Sequence, residues 1–170
     1  MQSYVVLLRA VNVTGTGLIK MTDLKALCEA AGGQKVRTYI ASGNVVLQSG
    51  LAAGDLREAI SQEIEALMGK PVGIIIRTPE EIAAALEETP YRALDPARTV
   101  MCFLETAPPA DALAHLRHQS DEQVSLGKRE IHIHYPNGQG QSRLMVPAAK
   151  TGTARNLNTV RKLLQMARDI

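Results

Sequence analysis

Residues Val5 to Val11 form a Val- and Leu-rich run in which both alternate sets, Val5, Leu7, Arg9, Val11 and Tyr4, Val6, Leu8, Ala10, Asn12, are largely apolar. Such a run reads as a strand covered on both faces, because an antiparallel sheet with one wet face alternates more cleanly. Leu24, Leu27, Cys28 and Ala31 then recur at helical spacing, and Gly32-Gly33 stops the helix. Two β-rich segments follow, Val36 to Ala41 and Val45 to Gln48, joined by Ser42-Gly43-Asn44 in the manner of a hairpin. Asp55 with Glu58 predicts a capping box opening a helix through Leu56, Ile60, Ile64 and Leu67, ended by Gly69. Val72 to Arg77 is a further strand. Thr78-Pro79-Glu80-Glu81 combines an N-cap, an N1 proline and an N3 acid, so a third helix runs through Leu86.

The element order to this point is β-α-β-β-α-β plus a helix, the ferredoxin-like split βαβ unit. Pro90 to Pro96 marks a joint. Beyond it Val100 to Glu105 reads as a strand, Ala110 to Leu116 as a helix, and Val124 to Leu126 and Ile131 to Tyr135 as strands. Pro136-Asn137-Gly138 is a turn, and Leu157, Val160, Leu163, Leu164 and Ala167 stripe the last helix. The predicted class is therefore α+β, with a ferredoxin-like half at 1–95 and a second at 96–170 that lacks the final strand. The doubly apolar first strand further predicts that the two halves pack as one unit.

Composition narrows the possibilities. The net charge of +2 excludes a strongly basic field, although a local cationic patch survives that sum. Four Tyr, one Phe and no Trp leave few stacking platforms for nucleic-acid bases. No apolar run approaches the roughly 20 residues of a membrane helix, and Met1-Gln2-Ser3-Tyr4 lacks a basic leader. Cys28 and Cys102 fit no metal or redox spacing and lie within apolar patterns. Together these predict a cytoplasmic protein with reduced, buried thiols and no membrane partner.

Several motifs resemble a known family. Leu8-Arg9-Ala10-Val11-Asn12-Val13, Ile19-Lys20-Met21-Thr22-Asp23-Leu24 and Arg37-Thr38-Tyr39-Ile40-Ala41-Ser42-Gly43-Asn44-Val45-Val46 look like its opening signature. His134-Tyr135-Pro136-Asn137-Gly138 and Thr153-Ala154-Arg155-Asn156-Leu157-Asn158-Thr159-Val160 look like its closing one. The chain thus resembles the bacterial domain of unknown function numbered 1697 over nearly its whole length. The resemblance implies a two-part ferredoxin-like α+β fold and no established activity. Ala10 stands where the family pattern carries glycine, and Leu157 where it carries tryptophan.

Three polar constellations are candidates for binding. Gly15-Thr16-Gly17 follows a strand and Lys20 precedes a helix, so backbone N–H groups and a cation could cradle phosphate there. The spacing is neither a P-loop nor a dinucleotide fingerprint, and a tight loop explains the glycines more simply. Lys150-Thr151-Gly152-Thr153-Ala154-Arg155-Asn156 opens the last helix, with Thr153 as the predicted cap and Arg155 and Lys150 adding charge. The competing reading is an ordinary cap beside solvated cations. The third set, Arg9, Asn12, Arg37, Tyr39, Ser42 and Asn44, gathers at strand ends, where turn-closing amides are the alternative.

His132 with His134, and His115 with His118, could pair around Glu130 or Glu122, but no acidic motif joins them, so no metal and no cofactor is expected. No Gly-x-Ser-x-Gly elbow occurs, and no motif assigns a reaction. The predicted ligand-binding residues are Arg9, Asn12, Lys20, Tyr39, Asn44, Tyr135, Arg155 and Asn156. They point first to a module binding nucleic acid or a phosphorylated small molecule. The alternatives are a small-molecule binder or enzyme with a cleft between the halves, and a non-catalytic partner-binding protein. Oligomeric state stays open.

Overall fold

The computed structural model describes residues 1–9, 11 and 18–170. Asn12 and the Thr14-Gly15-Thr16-Gly17 loop lie outside the described residues. Contacts divide the chain into two compact units, 1–82 with 162–170, and 83–161, whereas the proline-marked joint read from sequence falls at 90–96.

In the first unit the strands are β1 (Gln2–Leu8), β2 (Gln34–Thr38), β3 (Asn44–Ser49) and β4 (Ile74–Arg77), with helices α1 (Met21–Ala30), α2 (Ala53–Met68) and the start of α3 (Pro79–Glu88). The sheet order is β2-β3-β1-β4, with every pairing antiparallel. β3 lies between β1 and β2, as a split βαβ unit requires. One face carries Tyr4, Val6, Leu8, Val45, Leu47, Ile74 and Ile76 against Leu24, Leu27, Cys28 of α1 and Leu56, Ile60, Ile64 of α2. On the opposite face Val5, Leu7, Val46, Ile75 and Arg77 are also buried, so β1 has no wet side. Gln48 Nε2, on that face, donates to the Ile170 carbonyl at 3.1 Å and fixes the end of the C-terminal helix there.

The second unit repeats the sheet. β5 (Thr99–Phe103), β6 (Gln123–Leu126), β7 (Glu130–His134) and β8 (Thr153–Asn156) pair antiparallel in the order β6-β7-β5-β8. α4 (Leu157–Asp169) follows at once, its early turns in this unit and its later ones in the first. The α+β class thus stands on two four-stranded antiparallel sheets and four α-helices among the described residues.

Four local expectations are corrected. The second half does not lack its final strand: Thr153 to Asn156, expected as a helix start, pairs with β5. A β-ladder partner outweighs the weak strand propensity of Thr-Ala-Arg-Asn. The helix expected at 110–116 is only a 3-10 turn, Ala112–His115, since Pro108-Pro109 precede it and Leu116 leaves in an extended conformation. β2 ends at Thr38 because Ile40 sits at φ +49°, which no strand tolerates. α2 starts before the Asp55–Glu58 box, with Ala52 at its extended flank and Asp55 in the first turn, where the helix dipole favours an acid. The second box is as predicted: Thr78 N–H donates to Glu81 Oε1 at 3.1 Å, and Glu81 N–H donates to Thr78 Oγ1 at 3.2 Å.

Candidate functional site

The helix-poor layer of the second unit holds a cavity. One face of its sheet packs Val100, Cys102, Leu104, Ile131, Ile133 and Tyr135 against Leu144, Val146, Ala148 and Ala149, which lie in coil and a 3-10 turn. Irregular segments leave backbone groups that side chains must satisfy. Polar residues therefore gather where these segments meet, and a cavity of about 320 Å³ lies there, lined by His118, Ser120, Asp121, Glu122, Tyr135, Asn137, Gly138, Gln141, Ser142 and Arg143. That volume is at the low end of the range for small-molecule sites.

Three loops build the wall. Arg117 and Met145 exchange backbone hydrogen bonds at 3.0 and 2.9 Å, joining the 118–122 segment to 141–144. His118, next to this bridge, sits at φ +57°, a left-handed conformation that histidine adopts more readily than most residues. The third loop is the Tyr135-Pro136-Asn137-Gly138 turn. Tyr135 N–H donates to the Arg98 carbonyl at 2.8 Å, and the Arg98 guanidinium donates to the Pro136 carbonyl at 2.6 Å. Gly138 closes the turn at φ +85°, a conformation a side chain would strain. Asn137 Nδ2 donates to Asp121 Oδ2 and so ties this turn to the first loop.

Glu122 is the electrostatic centre. It is only 6% exposed. Its carboxylate accepts the Ser142 hydroxyl and the Ser120 N–H, the latter at 2.6 Å, and its carbonyl accepts Gln119 Nε2 at 2.8 Å. The Ser142 hydroxyl first, and then the Ser120 N–H, hold its carboxyl below the usual carboxylate range. It is ionised at neutral pH. Tyr135 is 7% exposed, with its ring in the apolar cluster. Burial raises its phenol above the ordinary value, and Cys102 and Glu122 add to the shift. Its hydroxyl makes no hydrogen bond to the described residues.

Of the residues singled out from sequence, Tyr135 lines this cavity. Arg155 and Asn156 lie in β8 of the same unit. The half-buried Arg155 donates to the Ala154 carbonyl at 2.8 Å, and burial lowers its guanidinium to about 10. Asn156 caps α4 by accepting the Thr159 N–H at 3.0 Å. In the first unit, Asn44 is fully buried and its amide donates to the Tyr39 carbonyl at 3.1 Å and to Ser42 Oγ at 3.0 Å. Tyr39 and Asn44 thus meet as the two sides of one turn. Arg9 and Lys20 are exposed, Arg9 donating its N–H to the Gly73 carbonyl and Lys20 flanking α1. Neither of them lines the cavity, nor does either line a second one of about 390 Å³ walled by Pro108, Pro109, Pro147 and their neighbours.

Sequence reasoning missed His118, Glu122, Ser142 and Arg143 as cavity residues, weighing His118 and Glu122 only as metal ligands. Among the described residues no three His, Cys, Asp or Glu side chains group to hold a metal ion. No described helix is long and apolar enough to cross a membrane. Both cysteines are free and buried.

Comparison with known proteins agrees with this architecture. The model of the family described as protein of unknown function (DUF1697) matches residues 1–132. The structure of the conserved bacterial protein SP0830 from Streptococcus pneumoniae is 25% identical, covers 98% of this chain and 98% of its own, and superposes with a TM-score of 0.81. No curated protein matches. The cavity's Tyr135 turn lies past the stretch matched by the family model.

Proposed function

The chain belongs to the family of proteins of unknown function DUF1697, and we propose that it binds a small polar molecule in the cavity beneath the Tyr135-Pro136-Asn137-Gly138 turn. The observation that carries this reading is the cavity's wall: the ionised carboxylate of Glu122 and the Tyr135 residue, whose hydroxyl has no hydrogen bond to the described residues, line one space of about 320 Å³. Buried polar groups are normally satisfied, and a group left open in a concavity is where a ligand contributes most.

The nucleic-acid or phosphorylated-ligand reading would rest on Arg9, Lys20, Arg37, Lys150 and Arg155. Asn44 and Asn156 spend their amides on a turn and a helix cap, which lessens what those two could offer a ligand. A thermal-shift and amide-NMR screen of small metabolites, nucleotides and short oligonucleotides separates the readings. A cavity ligand shifts the amides of His118, Asn137 and Gln141 and is lost in Gln141→Trp, in which an exposed rim residue is enlarged to fill the opening. Binding of oligonucleotides alone, weakened by salt and indifferent to Gln141→Trp, would overturn the proposal.

A further inference from the structure

The cavity's charges specify more than polarity. Glu122 is 6% exposed and ionised, yet among the described residues no Lys, Arg or His pairs with it. Two neutral donors, the Ser142 hydroxyl and the Ser120 N–H, stabilise that charge and burial opposes it least, so the carboxylate stands at the cavity wall with no cation of the described residues against it. An ionised carboxylate offers about four acceptor positions, and the Ser120 N–H and Ser142 hydroxyl occupy two of Glu122's. Asp121 adds a second carboxylate to the same wall. The Tyr135 hydroxyl, without a hydrogen bond and in a residue 7% exposed, supplies a further acceptor near Glu122. The exposed Arg143 lines the same cavity and makes no ion pair of its own.

Resting on the cavity reading above, we infer that the ligand is a small zwitterionic amino compound, its ammonium group held by Glu122 and Tyr135 and its carboxylate by Arg143. The ammonium supplies the counter-charge that Glu122 lacks. It has three donors, enough to meet Glu122, Asp121 or the phenol together, and charge-assisted bonds of this kind are the strong ones. Arg143, at the exposed side, offers the planar fork that suits a carboxylate.

The test is titration of the protein, followed by amide NMR, with glycine, β-alanine, γ-aminobutyrate, 5-aminovalerate and lysine. Butylamine, butyrate and N-acetyl-γ-aminobutyrate serve as matched controls. At least one amino acid should bind at His118, Asn137 and Gln141, with affinity falling about tenfold or more on loss of the ammonium charge or in Glu122→Gln. Tyr135→Phe deletes a hydroxyl that bonds to nothing else, so it should weaken binding several-fold at unchanged melting temperature, even if Glu122→Gln folds poorly. Arg143→Ala should erase the preference for the amino acid over butylamine. If a phosphate, sugar or nucleotide binds in the cavity while no amino compound does, the cavity reading stands and this inference falls. Amino-compound binding indifferent to both Glu122→Gln and Tyr135→Phe also overturns it. Silence from every compound class removes both.

Discussion

His132 should make this protein lose stability in mild acid, and one substitution should abolish the effect. The imidazole is 1% exposed on β7, and neither ring nitrogen has a hydrogen-bond partner. Burial lowers its pKa from the ordinary value of 6.5, and the exposed Glu88 carboxylate opposes that shift without cancelling it. Well above pH 6.5 the ring is neutral in the folded and unfolded chains alike, so it imposes no pH dependence there. Below 6.5 the unfolded chain takes up a proton that the folded chain resists, and stability falls until the pH passes the folded value. The ceiling is about 1.4 kcal/mol per pH unit, hence about 2 kcal/mol between pH 6.5 and 5.0 for this group alone. Urea unfolding followed by far-UV circular dichroism at pH 7.5, 6.5, 5.8 and 5.0 measures it. His132→Leu removes two unpartnered buried nitrogens, so its stability at pH 7.5 should equal or exceed the parent's, and its slope between 6.5 and 5.0 should be flatter. His115, His118 and His134 are present in both proteins, so the difference between the two slopes isolates the effect of His132. Identical slopes, or a loss of more than about 2 kcal/mol on substitution at pH 7.5 of the kind expected from deleting a buried hydrogen bond, would refute the reasoning.

Two further outcomes follow from the first unit. Thr78→Ala removes the hydroxyl that accepts the Glu81 N–H at the start of α3, leaving the residue-78 N–H to Glu81 Oε1 bond in place, and should cost about 1 kcal/mol in urea unfolding; a change under a few tenths would mean the cap is redundant. Cys28 is fully buried, and burial, with Glu29 adding to it, pushes its thiol up to about 12. It should resist iodoacetamide in the native protein at pH 8 and react once the chain is unfolded in urea, as read by mass spectrometry; rapid native labelling at Cys28 would contradict its place in the core.

Much of the first unit was legible because local and tertiary preferences agree there. The apolar stripe of α1, the strand pattern of β1 and β3, and the Thr78–Glu81 box each specify one outcome, and the observed β2-β3-β1-β4 sheet is what that order builds. Legibility failed where a partner decided the structure. Thr153-Ala154-Arg155-Asn156 carries no apolar alternation, yet Cys102 and Phe103 pair with it across the ladder, and Asn156 shifts the helix cap three residues past Thr153. Ile40 carries strong strand propensity and still ends the strand, because Asn44 bonds to the Tyr39 carbonyl and shapes the turn around it.

The candidate site was hardest to read for a related reason. Its residues come from three loops separated in sequence, and what unites them is the bridge between Arg117 and Met145, the Asn137–Asp121 bond and the Ser142–Glu122 bond. Tyr135 was visible because it ends a strand and opens a Pro-Asn-Gly turn. Glu122 was not, since an acid in the polar run His118-Gln119-Ser120-Asp121-Glu122 looks like any solvated loop residue. The one available signal was the alternation Val124, Leu126, which carried back two places puts Glu122 on the same side of the chain as Val124. The contrast between the units then explains where the cavity arises. Helices α1 and α2 cover the first sheet with hydrogen bonds satisfied inside themselves and with apolar stripes, leaving little call for polar side chains beneath them. Turns and a 3-10 segment cover the second, and their backbone N–H groups draw Glu122 and Ser142 into the layer, where the two accept the Ser120 and Leu144 N–H groups.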